Sequence, residues 1–172
     1  MKTKKIAFLG LMLALIIALS ALEQMIQPPA FLPPGIKLGL ANIVVMYCVF
    51  FVRKRDAAAL AALKSAFVFF TRGASAGLLS LCGGLLSLFV IIALAAAFKN
   101  RISYTLISVS GATGHNAGQL LAASALLGTP LALWYLPVLA VSGIIMGVVT
   151  GMILRVSLPA FNLIFGKGGL NK

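Results

Sequence analysis

Acidic residues are nearly missing from this chain. Of its 172 residues, only Glu23 and Asp56 carry a side-chain carboxylate. They lie in different regions, so no carboxylate cluster can hold magnesium on a diphosphate. Histidine occurs once and cysteine twice, which leaves no zinc-ligand set of the usual spacing. Cys48 and Cys82 both sit in apolar runs and read as small buried residues, so they do not report the redox compartment. No glycine-rich phosphate loop, Ser-His-Asp arrangement or other catalytic motif is present. Charged residues of either sign make up only 9% of the chain, against about 25% in soluble domains. With 62% hydrophobic residues and a mean hydropathy of +1.13, a soluble globular domain and a disordered chain are both excluded.

What is there is apolar helix. At ~20 apolar residues per crossing, the chain holds about six helices and no separate soluble domain. The fold class expected is all-α: a polytopic six-transmembrane-helix bundle, one transmembrane domain over 1–172. The apolar runs place helices at about 6–26, 36–52, 57–71, 77–98, 102–127 and 131–154. Gln27–Gly35 contains four prolines and one glycine and reads as a rigid extended loop. Arg72–Ala76 is a small-residue break, and Gly128-Thr129-Pro130 is a tight turn. A rival reading of the first run is a signal peptide, because Ala18-Leu19-Ser20 resembles a weak cleavage site. It leaves the orientation of the remainder unchanged.

The positive charge is abundant: 14 Lys and Arg give a formal net charge of +12. Eleven of them lie at alternate helix ends: Lys2, Lys4, Lys5, Arg53, Lys54, Arg55, Lys99, Arg101, Arg155, Lys167 and Lys172. The intervening loops hold only Arg72. Basic loops stay in the cytoplasm, so the rule puts both termini there and points helices 1, 3 and 5 outward. The expected location is therefore the cytoplasmic membrane, multi-pass. The basic excess needs no nucleic-acid partner to explain it.

Small residues recur four apart. Gly143, Gly147 and Gly151 do so in helix 6, Gly114 and Gly118 in helix 5, and Gly10, Ala14 and Ala18 in helix 1. Such spacing lets helix backbones approach closely in lipid. In helices 5 and 6 it reads as packing within the chain. The helix 1 face is open to a partner membrane subunit.

Lys37, Lys64 and Arg72 depart from the orientation pattern. An ionisable group within the membrane is costly and needs a reason. Lys37 falls at the outer mouth of helix 2, and Arg72 at the outer end of helix 3. Lys64 falls about 12 Å deeper at ~1.5 Å per residue. Glu23 is near the outer end of helix 1. Asn42, His115, Asn116 and Gln119 fall in the same half. A structural reading lets Asn and Gln join helices and lets Lys37 and Arg72 snorkel, with Glu23 pairing either. Taken together, the eight residues read better as a pocket open to the outside. Three cations against one acid suit an anionic ligand. His115 alone is compatible with a satisfied core group, a ligand contact or a proton carrier.

Two of these segments are familiar. Pro34-Gly35-Ile36-Lys37-Leu38-Gly39-Leu40-Ala41-Asn42-Ile43 resembles a signature of the membrane family labelled heptaprenyl diphosphate synthase component I, also called the Gx transporter family. Gly114-His115-Asn116-Ala117-Gly118-Gln119-Leu120-Leu121 is similar to its second signature, and Tyr135-Leu136-Pro137 with the glycine-spaced helix fits the third. That family in turn resembles the substrate-binding S components of energy-coupling-factor (ECF) transporters. The resemblance implies a bacterial protein with an S-component-like bundle of six helices, cytoplasmic termini and an outward pocket. It also implies a small-residue face on helix 1, here Gly10, Ala14 and Ala18, that docks an ECF-type transmembrane subunit serving separate ATPases. It places a basic residue within helix 3, for which Lys64 and Arg72 are the two candidates. The function expected is a subunit for uptake of a small anionic vitamin or isoprenoid precursor. The alternative is a non-catalytic membrane subunit assisting a polyprenyl diphosphate synthase. A third reading is a structural scaffold of a larger complex. The near-absence of acids argues against catalysis by this chain alone, and no cofactor or metal is expected.

Overall fold

A computed structural model of the chain describes residues 2–25, 39–98, 102–128 and 134–165. Lys37, the proline-rich loop, Lys99, Arg101, Pro130, Lys167 and Lys172 lie outside the described residues. The fold is all-helical, as expected, with six helices in chain order. They are α1 (Lys2–Met25), α2 (Leu40–Phe51), α3 (Lys54–Arg72), α4 (Ala74–Ala97), α5 (Tyr104–Leu127) and α6 (Leu136–Phe165). Three contain stretches long and apolar enough to cross a membrane: Lys5–Glu23, Ala74–Ala97 and Leu136–Ala160. α3 is broken up by charge, and α5 by its Ser, Thr, His, Asn and Gln residues.

α2 has only 12 residues, about 18 Å of helix, which is short of the ~30 Å hydrocarbon core. Eight of the 12 are buried, so it is apolar all round and forms the centre of the bundle. Met12 and Ile16 of α1, Leu60 of α3, Leu88 and Ile91 of α4, Ile107 of α5 and Leu154 of α6 complete this core. Tyr47 stacks on Phe51 at 4.9 Å. Phe50 meets Tyr104 edge-on at 5.4 Å. The outer surface carries the large apolar side chains that a soluble protein hides: Phe70 is 84% and Phe89 68% exposed. That is the pattern of a lipid-facing flank.

The breaks differ from expectation in informative ways. α3 and α4 are separated by Gly73 alone, at φ 92°, a backbone conformation that costs glycine little. The small-residue break expected over Arg72–Ala76 is therefore one residue long. The hairpin closes tightly because Gly77 has no side chain: a Cβ there would lie 2.6 Å from the Phe69 Cβ. α6 begins near Leu136 rather than Leu131. It also continues through Pro159 to Phe165, where an end near Leu154 was expected. Proline removes one backbone donor from the ladder, but it does not end this helix.

The glycine spacing resolves as expected in the second half. α5 lies between α4 and α6. Gly118 faces the Cys82 carbonyl and the Gly83 backbone, at 2.7 and 2.9 Å from a would-be Cβ. Gly147 faces the Val109 backbone, and Gly151 lies against Thr105. Gly10, Ala14 and Ala18 of α1 are exposed, and a Cβ on Gly10 would meet nothing within 4 Å. Among the described residues the ion pair is Lys5 with Asp56, at 2.7 Å. It joins the N-termini of α1 and α3, with the acid in the first turn of α3 where the helix dipole favours it.

Replacing Gly147 by leucine should force α5 and α6 apart. A loss of about 1–3 kcal/mol or more is expected, read as a lower melting temperature of the purified protein in detergent. Gly10→Leu should melt within about 0.5 kcal/mol of the parent.

Candidate functional site

The N-terminus of α2 lies inside the bundle. Its flanking Gly39 adopts φ 75°, and a Cβ on it would be 3.7 Å from Thr150 Cγ2, midway along α6. A helix start carries unpaired N–H groups and partial positive charge. In an apolar bundle these must be met by side chains. Glu23, near the end of α1, does so: its Oε1 accepts the Ala41 N–H at 3.3 Å. Glu23, which the structural reading let pair Lys37 or Arg72, thus caps α2.

Within the first turn of the helix, Asn42 meets Lys64. The lysine Nζ donates to Asn42 Oδ1 at 2.6 Å. This short charge-assisted bond gives a mid-helix ammonium an acceptor where water is scarce. Both side chains are partly buried.

α5 supplies the facing wall. Its lining residues are Ser108, Gly111, Ala112, His115, Asn116 and Gln119. The spacing i, i+3, i+4, i+7, i+8, i+11 is one face of a helix and spans roughly 16 Å at ~1.5 Å per residue. α6 adds Gly143, Met146 and Thr150, and α4 adds Ser87 and Ile91. Six helices therefore converge on one cavity of about 620 Å³, its open mouth included. At one end Ser108 and Thr150 share a hydroxyl–hydroxyl hydrogen bond of 2.8 Å, and Thr150 also donates to the Met146 carbonyl. His115 is 7% exposed. The Asn116 amide donates to the Leu139 carbonyl at 2.8 Å. Gly83 makes room for the α5 polar residues: a Cβ there would fall 2.7 Å from Gln119 Cγ and 3.0 Å from His115 Cε1.

Six of the eight expected pocket residues line this cavity: Glu23, Asn42, Lys64, His115, Asn116 and Gln119. Arg72 does not. It is exposed at the C-terminus of α3, two turns beyond Lys64, so Lys64 is the basic residue of α3 that reaches the cavity. Lys37 lies outside the described residues. Ser87, Ser108 and Thr150 were not singled out in the sequence. Serine and threonine are common in apolar helices, and only the fold shows that these three share a cavity. The polar set also extends toward the N-terminus of α5, because Ser108 lies in its first two turns. Among the described residues no group of three or more His, Cys, Asp or Glu could hold a metal.

Among the described residues the cavity presents one lysine ammonium, the positive end of α2, one carboxylate, and amide, hydroxyl and imidazole groups. It can bind and orient an anionic group.

Comparison with known proteins gives one family. The model described as heptaprenyl diphosphate synthase component I matches residues 12–157. No curated protein and no solved structure matches the chain.

The Lys64–Asn42 bond should show as coupling in a double-mutant cycle. Lys64→Met and Asn42→Leu should each destabilise the protein. The double variant should fall short of their sum by about 0.5–3 kcal/mol, measured by thermal or denaturant unfolding.

Proposed function

We propose that this chain, which belongs to the heptaprenyl diphosphate synthase component I family, is a membrane-embedded binding subunit for a small anionic solute. The observation that carries this reading is the convergence of Glu23, Asn42, Lys64, His115, Asn116 and Gln119 on one cavity inside an apolar bundle. Glu23, Asn42, Lys64 and Asn116 bond across neighbouring helices, and they do so around one shared space with a lysine midway along α3.

The proposed placement is multi-pass in a bacterial cytoplasmic membrane, as one unit with both termini in the cytoplasm. The support is the charge of the loops. The Lys5–Asp56 pair marks one end of the bundle, and Glu23, at the opposite end of α1, lines the cavity. With cytoplasmic termini, the cavity faces outward, which suits capture from outside. The chain carries no nucleotide-binding motif, so inward movement needs an energising partner. The exposed Gly10, Ala14 and Ala18 face is the proposed place for a transmembrane subunit of the ECF type, since small side chains permit close helix approach.

A second reading is favoured by the family's own description. In it the chain is the membrane component beside a separate synthase subunit, and the cavity holds a diphosphate for that partner. The chain then contributes binding and no catalysis, because two carboxylates cannot build a magnesium-holding motif.

Both readings require anion binding at Lys64. The purified protein should gain thermal stability with inorganic diphosphate, and Lys64→Met should weaken that binding about tenfold or more. Arg72→Ala should retain it. Uptake into cells that depends on Lys64 supports the first reading. Co-purification with a soluble synthase whose product length changes on deletion of this chain supports the second. A protein indifferent to phosphate, diphosphate and carboxylate anions alike is not an anion-binding subunit.

A further inference from the structure

The charge balance of the cavity is not that of the sequence. Lys37, Lys64 and Arg72 outnumber Glu23 along the chain. Arg72 is exposed at the end of α3, and Lys37 lies outside the described residues. Among the described residues that line the cavity, one lysine, Lys64, stands with one carboxylate, Glu23. Both are fixed at the start of α2, from different helices. Glu23 of α1 accepts the Ala41 N–H at 3.3 Å. Lys64 of α3 donates to the Asn42 side chain at 2.6 Å. Ala41 and Asn42 are consecutive, so bond lengths alone keep the carboxylate and the ammonium within about 13 Å of each other. A single small molecule spans that distance.

Capping explains the place of Glu23 but not its charge. The neutral oxygen of a serine, threonine or asparagine satisfies a helix start as well, and the helix dipole amounts to only about half a unit charge. A full carboxylate within an apolar bundle is costly. Beside a plain anion it is worse, because like charges repel strongly where water is scarce. Asp56, the other acid of the chain, is paired with Lys5, whereas Glu23 has no ion pair among the described residues. Nor is the carboxylate fully used: Oε1 takes the Ala41 N–H, and among the described residues Oε2 makes no hydrogen bond. The Gln119 amide lines the same cavity and makes none either.

We infer that the ligand carries two opposite charges: an anionic group held at Lys64 and an ammonium group held at Glu23. Its class is that of an amino acid or an amino-phosphate rather than a plain anion. This rests on the anion-binding reading above and narrows its substrate class. The ammonium of such a ligand meets Oε2, and the charge of Glu23 then aids binding instead of opposing it. Gln119 can donate to one end of the molecule or accept from the other.

The test uses the full chain purified in detergent and titrated calorimetrically with probe pairs that differ by one ammonium group. The pairs are propionate and β-alanine, butyrate and γ-aminobutyrate, and ethyl phosphate and phosphoethanolamine. In at least one pair the ammonium-bearing member should bind about tenfold or more tightly. Glu23→Gln keeps an oxygen for the Ala41 N–H and removes the charge. It should erase that gain and tighten binding of the ammonium-free member, which a purely structural cap would not do. Should Glu23→Gln lower the melting temperature without ligand, the comparison within each pair on the unaltered protein decides. Anion binding with no gain from the ammonium group in any pair overturns the inference and leaves the anion site standing. A gain that survives in Glu23→Gln overturns it as well. If none of the six probes binds and inorganic diphosphate does not either, the anion-binding reading itself fails.

Discussion

The start of α2 inside the bundle is the constraint on which the rest depends. A helix that begins amid apolar neighbours exposes N–H groups that lipid cannot satisfy. Glu23 meets one of them at 3.3 Å, and Asn42, in the same first turn, is bonded to Lys64. These contacts bring α1, α2 and α3 to a common point. They also account for one of the two acids in the chain. Glu23 is kept at the end of α1 by a geometric demand of α2, and the same demand concentrates polar groups where a ligand could use them.

The two halves of the bundle hold together differently. α4, α5 and α6 pack through glycine, with backbone against backbone at Gly118, Gly147 and Gly151. Such contact forgoes side-chain interdigitation and gives dispersion over a long seam in return. Around α2 the packing is by side chains: Tyr47, Met12, Ile16 and Leu154 are all almost fully buried. The cavity lies between the glycine-packed slab and the α2-centred core. A wall carrying His115, Asn116 and Gln119, held by backbone contact, thus faces a wall carrying Lys64 and Asn42, held by interdigitated side chains.

Much of the site was legible because polar residues are conspicuous in an apolar chain. Lys64, Asn42, His115, Asn116 and Gln119 each need a partner in lipid, so a shared location is the economical arrangement. Arg72 misled for the same reason. At the end of α3 it is exposed, and a long basic side chain there needs no cavity. Ser87, Ser108 and Thr150 stayed hidden because a hydroxyl in a helix can satisfy itself on its own backbone, as Thr150 does on Met146. The start of α2 was equally hidden: Gly39 lies inside the run 36–52 and adopts φ 75°, and sequence alone does not tell such a glycine from a helical one.

Composition and the spacing of the apolar runs by themselves determined the all-helical class and the six helices. Hydrophobic runs and near-absent carboxylates permit little else. Tertiary structure alone decided which polar groups meet. Helical period fixes the face a residue occupies on its own helix, whereas the rotation of one helix against another is set by close contacts such as Gly147 on Val109 and Gly77 on Phe69. Those rotations turn Lys64 to Asn42, take Glu23 to the start of α2, and bring Asn116 to the Leu139 carbonyl.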